Sequence, residues 1–211
     1  VLLYRNSPSV IIGKHQNALA EINYLPALEE RITVSRRISG GGTVYHDMGN
    51  INFCFIINGN RDKLVDFRRY TQPIQEMLLT IGIHARFEGK NDLRVNGLKI
   101  SGNAEHVYKN RVLHHGTLLY NADLKRLKKS LSNNTRRYTD KSVQSVRSQV
   151  ANITEFMKTE MSSGAFFSEL EKFLSEYFSN VKKASLHQNE IQAVKDLCKS
   201  KYSTWEWVYG Y

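Results

Sequence analysis

The sequence predicts an α+β fold: mixed, mostly antiparallel strands joined by hairpins and flanked by helices. Three observations carry this. The first 120 residues hold short β-prone runs broken by glycine, proline and asparagine. Asn96-Gly97 sits between two alternating runs, a strong hairpin signal. Beyond Asp123 apolar residues recur at helical spacing. Strands and helices do not alternate as they do in parallel βαβ sheets.

Val1–Tyr4 and Val10–Ile12 flank a Ser-Pro-Ser turn, and Thr33–Ile38, Thr43–His46 and Ile51–Ile57 follow as strands. Phe67, Tyr70, Ile74, Met77, Leu78 and Ile81 mark one face of a helix that Gly82 ends. Pro73 fits its first turn, which allows a later start. In the hairpin, Val95 is expected to face Leu98, and Leu93 to face Ile100. Arg94 then opposes Lys99 on the other face. Gly102–Tyr108 and Arg111–Asn121 read as a further strand pair. Leu124–Leu131 and Phe166–Phe178 read as helices, and Ser130–Ser148 between them as an exposed polar loop. A last helix, Glu190–Lys199, is expected to turn Ile191, Val194, Leu197 and Cys198 inward. Trp205–Tyr209 reads as a strand or edge segment.

The 211 residues are 41% hydrophobic and 24% charged, which excludes a disordered chain. They fit one large domain or two small ones, with enough chain for a real core. Two cysteines cannot staple a small secreted scaffold, so a reducing compartment is expected. No apolar run reaches membrane-spanning length. No signal peptide opens the chain; Val-Leu-Leu-Tyr reads as a strand, so the natural start is expected upstream. Thirty Lys and Arg against twenty Asp and Glu give a net charge of +10, which favours an anionic partner. The densest basic cluster is Lys125, Arg126, Lys128 and Lys129, with Arg136 and Arg137 nearby. No recognisable nucleic-acid module accompanies it.

Three places offer chemistry. Arg36-Arg37-Ile38-Ser39-Gly40-Gly41-Gly42-Thr43 joins two guanidinium groups to three glycines. Bare backbone can approach an anion closely, and an arginine fork can grip phosphate; a flexible strand-to-strand turn is the alternative. The segment matches neither the Walker A nor the dinucleotide pattern. Arg94 and Lys99 are like charges across a hairpin, a cost that is small in solvent and that a bound anion offsets in a cleft. At His114-His115, strand alternation lets one ring face the core and the other a site. Neither histidine has partners at zinc spacing. Cys54 reads as a core thiol, Cys198 as inward on the last helix, and no G-x-S-x-G elbow occurs.

Several motifs in order resemble the lipoate–protein ligase A family and the related lipoyltransferases. They are Arg36 to Asp47 (RRISGGGTVYHD), Gly89-Lys90-Asn91-Asp92-Leu93, Leu98-Lys99-Ile100-Ser101-Gly102 and His114 to Leu119 (HHGTLL). Asn121-Ala122-Asp123-Leu124, Ser145-Val146-Arg147-Ser148 and Trp205 to Gly210 (WEWVYG) follow. The resemblance spans nearly the whole chain. It implies the biotin/lipoate ligase catalytic fold and a two-step reaction: ATP and lipoate give lipoyl-AMP and pyrophosphate, then lipoyl passes to an acceptor lysine.

It further implies that Arg37, Ser39, Gly40, Gly41, Gly42, Thr43, Val44, Tyr45 and His46 surround the adenylate and lipoyl carbonyl. Lys99 would be the catalytic lysine on the carbonyl and phosphate oxygens. Asn91 and Asp92 would contact nucleotide, with Asp92 a candidate magnesium ligand, and Gly102, Ala104, His115 and Thr117 would line the site. ATP, Mg2+ and lipoate are the implied cofactor and substrates. The implied partners are acidic lipoyl domains of 2-oxoacid dehydrogenase complexes or the glycine cleavage H protein, approached by a monomer with no nucleic-acid or membrane partner. The expected location is the cytoplasm, or the mitochondrial matrix after loss of a transit segment. The family pattern has a strand and helix ahead of Val1 and, in many members, a small accessory domain after the Trp-Glu-Trp segment. Neither lies in this chain, so transfer of a preformed lipoyl-AMP, or of octanoyl from a carrier protein, stands as the rival reading.

Overall fold

The computed structural model describes residues 1–59, 64–131 and 138–210. In chain order the elements are β1 (Leu2–Tyr4), β2 (Ser9–Ile12), α1 (Ala18–Glu21), α2 (Tyr24–Glu29), β3 (Thr33–Arg36), β4 (Val44–His46) and β5 (Asn50–Asn58). Then come α3 (Phe67–Thr80), β6 (Arg86–Glu88), β7 (Asp92–Val95), β8 (Leu98–Tyr108), β9 (Arg111–Leu119) and α4 (Leu124–Ser130). A 3₁₀ turn (Ile153–Phe156), α5 (Ser163–Tyr177), α6 (Gln188–Leu197), a π-helical turn (Cys198–Tyr202) and α7 (Trp205–Val208) complete the series. The chain forms two compact units, each assembled from three separate stretches. No helix among the described residues is long and apolar enough to cross a membrane.

The first unit comprises Val1–Ser7, His46–Leu124 and Arg147–Ser179. Its six-stranded sheet runs in the order β1-β5-β9-β8-β7-β6, with every neighbouring pair antiparallel. One face carries Phe53, Phe55, Leu93, Val112 and Leu118, packed with Ile74, Met77 and Leu78 of α3 and Phe166, Leu170 and Leu174 of α5. Side chains of this size contribute about 1.5–3 kcal/mol each when fully buried. Asp66 caps α3 by accepting from the Arg69 backbone N–H, and Ser162 caps α5 likewise.

The second unit comprises Pro8–Tyr45, Lys125–Val146 and Asn180–Tyr211. Its small sheet runs β3-β2-β4, with β2 and β3 parallel. Val10, Ile12, Ala18, Ile22, Ala27, Ile32 and Tyr45 form its core.

Four expectations need correction. Pro73 lies within α3, well beyond its first turn, and is buried there. A proline inside a helix costs about 3 kcal/mol, and helices in folded proteins draw most of their stability from tertiary packing. Leu93 pairs with Ser101 rather than Ile100, because a bulge between Leu93 and Arg94 shifts the register. The Val95–Leu98 and Arg94–Lys99 pairings hold, and Asn96 and Gly97 both take the positive φ of a type I′ turn. On α6, Val194 and Leu197 are exposed, as is Cys198 beyond it. Helical periodicity says which residues share a face, not whether another element covers it. Trp205–Val208 is a helical turn, not a strand, because the Thr204 hydroxyl caps it through the Trp207 N–H. Of the expected loop after Ser130, residues 132–137, with Arg136 and Arg137, lie outside the described residues.

Candidate active site

The expected site residues fall into two groups, one in each unit. In the second unit, the segment between β3 and β4 is held from within. Arg37 donates through Nε to Ser39 Oγ (3.2 Å), through one terminal nitrogen to the Ile11 carbonyl (3.1 Å), and through the other to the Gly40 and Gly42 carbonyls (2.7 Å each). Its fork therefore shapes the glycine turn. Arg36 is 3% exposed and spends its guanidinium on the carbonyls of Gly13, Lys14, Gln16, Trp207 and Val208. The reading of Arg36 as a phosphate-binding group is corrected: its charge is buried among backbone acceptors.

The three glycines differ. Gly41 has φ +87°, a conformation that side chains resist. Its carbonyl occupies the space a Cβ on Gly13 would need, 2.0 Å from that position. A Cβ on Gly42 would meet Ser145 at 3.0–3.3 Å. Beside Gly40 no protein atom lies within 4 Å of a would-be Cβ, so that backbone faces open space. Ser39 and Thr43 are buried, Val44 starts β4, and Tyr45 packs in the unit's core.

The polar cluster beneath this turn was not legible in the sequence. Gln16, Glu21 and Thr43 are all buried and meet at Ser145. They come from three distant stretches with no shared periodicity. The only cue was that Ser145 belongs to a quoted motif.

In the first unit, alternation places Asp92, Arg94, Lys99, Gly102, Ala104, His115 and Thr117 on the sheet face opposite Phe53 and Leu93. His46 is buried beside Asn6, whose Nδ2 stands 3.0 Å from the ring Nδ1. Lys99 Nζ lies 2.8 Å from Asp92 Oδ1, and the Arg94 guanidinium 2.8 Å from Asp92 Oδ2. This carboxylate offsets the like-charge repulsion across the hairpin. The Lys99 backbone is pinned on both sides: its N–H donates to Gln149 and its carbonyl accepts from Ala151. Gly102 leaves room for the lysine tail, since a Cβ there would sit 3.0 Å from Lys99 Cε and Nζ. The Gly102 N–H donates to Thr117 Oγ1 (3.3 Å). Asn91 Nδ2 donates to the Asn103 carbonyl, and Asn103 Nδ2 returns a bond to the Asn91 carbonyl (3.0 Å), which fixes the start of β7.

Each oxygen of Asp92 is thus in contact with one cation. Among the described residues no three His, Cys, Asp or Glu side chains are grouped as they would be around an all-protein metal site. His114 is buried among Phe53, Phe55, Phe67 and Tyr70, with Nδ1 2.9 Å from Glu105 Oε1; it is a core residue, while His115 is half-buried on the opposite face. Burial pushes the Cys54 thiol up, against nucleophilic use.

The comparisons with known proteins agree with one another. The model of the lipoyl protein ligase A/B catalytic domain matches residues 1–175. Lipoate-protein ligase LplJ of Bacillus subtilis is 39% identical, over all of this chain and 64% of its own length. The chain thus spans under two thirds of the length of such curated relatives. A solved structure described as a bi-partite lipoate protein ligase and its E2 lipoyl domain from Thermoplasma acidophilum matches with a TM-score of 0.82 and 29% identity, covering 99% of this chain and 82% of that one. Lipoate-protein ligase A bound with ATP matches at 0.80 and 28%, covering 99% of this chain and 84% of its own. These likenesses bear out the expected fold class. The chain belongs to the lipoyl protein ligase A/B catalytic domain family.

Proposed function

We propose that this chain is the catalytic part of an ATP-dependent lipoate–protein ligase. Lipoate's carboxylate attacks the α-phosphorus of ATP, pyrophosphate leaves, and lipoyl-AMP remains. An acceptor lysine amine then attacks the acyl carbon, and AMP departs. Neither step needs an enzymic nucleophile; both need charge neutralisation and alignment. The observation that carries the reading is the composition of the two polar groups. One presents glycine backbone to open space beside Gly40, and the other holds a half-buried lysine, Lys99, against a carboxylate.

In this reading Lys99 trades Asp92 for the developing negative charge on the phosphate and acyl oxygens. The segment from Ser39 to Thr43 offers backbone to the adenylate, and Arg37 keeps that segment in shape. Ala104, His115 and Thr117 line the site on Lys99's face of the sheet. Magnesium enters with the nucleotide, whose phosphate oxygens supply ligands a hard cation prefers. The ligase named with an E2 lipoyl domain supports a lipoyl domain as acceptor, and the net charge of +10 suits an acidic one. The glycine cleavage H protein, a monomeric state and a cytoplasmic location belong to the same proposal. An octanoyl transfer that relies on a cysteine is disfavoured, because Cys54 is buried with its thiol pushed up, and Cys198 belongs to neither group of site residues.

The test is mass spectrometry of a lipoyl acceptor domain incubated with the chain, ATP, magnesium and lipoate. One lysine is expected to gain one lipoyl group only when all three are present. Modification from lipoyl-AMP but never from ATP and lipoate would leave the transferase reading in its place.

A further inference from the structure

We infer that Glu21 is a positioning residue for the glycine-rich turn, acting through Ser145, and that its carboxylate cannot be replaced by an amide. The inference rests on the reading of that turn as the adenylate-binding segment. Its basis is a hydrogen-bond assignment with one solution. The Gly13 backbone N–H can only donate, so the Gln16 side-chain atom 2.9 Å away is the amide oxygen. Thr43 Oγ1 donates to the same oxygen at 2.8 Å. The Gln16 NH₂ group therefore faces Ser145 Oγ, at 3.0 Å. The Thr43 backbone N–H also points at Ser145 Oγ, at 2.9 Å.

A hydroxyl accepts two hydrogen bonds and donates one. With both acceptor sites of Ser145 filled, its own proton goes to Glu21 Oε2, 2.5 Å away. The Ser145 backbone N–H takes Glu21 Oε1, at 3.0 Å. Both Glu21 oxygens are thus required as acceptors. A glutamine would point an N–H at a hydroxyl that must itself donate, and one buried donor would be left without a partner. Glu21 is 5% exposed, Gln16 fully buried and Thr43 9% exposed, while Ser145 is half-buried, so water can reach the cluster only from the serine's side.

The cluster ties two segments. The stretch around Ser145 is also fastened by Asn17 Nδ2 to Asp140 Oδ2 (2.7 Å) and by the Val143 N–H to the His15 carbonyl (2.8 Å). Its serine then packs beside Gly42 and holds the Thr43 N–H. The order of the glycine turn is therefore set by Glu21, a carboxylate on α1, acting through Ser145.

The experiment uses the full chain with Glu21→Gln, Ser145→Ala and the double variant. Amide exchange of residues 39–44 is measured without ligand, and KM for ATP and kcat are measured in lipoate-dependent pyrophosphate release. Thermal melts establish folding, and Ser145→Ala serves if Glu21→Gln does not fold. The expected result is faster exchange in both single variants and a KM for ATP raised about tenfold, equivalent to one lost hydrogen bond to a charged group. The double variant is expected to be no worse than the worse single one, because both remove the same link. Unchanged exchange, or unchanged KM in a folded Glu21→Gln variant, overturns the inference. A wild-type chain that binds neither ATP nor lipoyl-AMP overturns the ligase reading instead, and the exchange data still decide whether Glu21 orders the turn.

Discussion

Asp92 divides one carboxylate between two cations, its Oδ1 2.8 Å from Lys99 Nζ and its Oδ2 2.8 Å from Arg94. The pairing holds the Lys99 ammonium beside Gly102, where a free lysine would sample many rotamers. Asp92→Asn is expected to lower kcat/KM for pyrophosphate release about tenfold or more by unfixing that lysine. Both partners are partly exposed, so the stability cost is about 1 kcal/mol or less. Steady-state kinetics with a thermal melt separate the two effects.

Gly40 and Gly41 of the 39–43 segment, and Gly13 packed against it, have different expected phenotypes. Gly41→Ala forces a side chain to φ +87° and costs about 1–2 kcal/mol. Gly13→Ala places a methyl 2.0 Å from the Gly41 carbonyl and shifts the turn bodily. Gly40→Ala meets no protein atom, so its melting temperature should stay at the wild-type value while nucleotide affinity falls. Calorimetric titration of ATP into the Gly40→Ala variant measures this.

Arg36 is a structural ion whose guanidinium donates to carbonyls of two distant stretches, residues 13–16 and 207–208. Arg36→Met leaves buried carbonyls unpaired and is expected to cost about 3–5 kcal/mol. The Trp207 indole N–H donates to the Arg36 carbonyl, so tryptophan fluorescence should report the loosening as the melt moves down.

Alkaline pH should weaken the fold through two buried groups. Burial pushes the Cys54 thiol and the Tyr120 phenol above their ordinary values of 9.0 and 10.0. Each therefore ionises first in the unfolded chain, so its stabilising contribution is complete below those values and is lost as pH rises through the folded ones. Tyr120→Phe should flatten part of this decline, while losing the 2.6 Å bond from its hydroxyl to the Met161 carbonyl. Denaturant melts from pH 7 to 11 test the slope, and alkylation at pH 8 should label Cys198 well ahead of Cys54.

Local signals in the sequence were reliable where the chain decides its own conformation. The Asn96-Gly97 turn, the face shared by Tyr70, Ile74, Met77 and Leu78, and the opposite outlooks of His114 and His115 all appear as periodicity predicts. What failed depends on distant partners. The Leu93 bulge answers to the neighbouring strand, and the helical turn at Trp205 to the hold of Arg36 on the Trp207 and Val208 carbonyls, although its Thr204 cap is local and was missed. Arg36 and Arg37 looked alike as adjacent cations, yet one is buried in backbone acceptors and the other orders the glycine turn. Gln16 and Glu21 carried no local pattern, because their meaning lies in a serine more than a hundred positions away.

The most direct measurement is single-turnover formation of lipoyl-AMP by the wild-type chain and a folded Lys99→Ala variant, each with ATP, magnesium and lipoate. The account predicts one retained lipoyl-AMP per wild-type chain, and a rate lowered at least about 100-fold on loss of the cation that steadies the reacting oxygens. Lipoyl-AMP accumulating at the wild-type rate in the variant would contradict it.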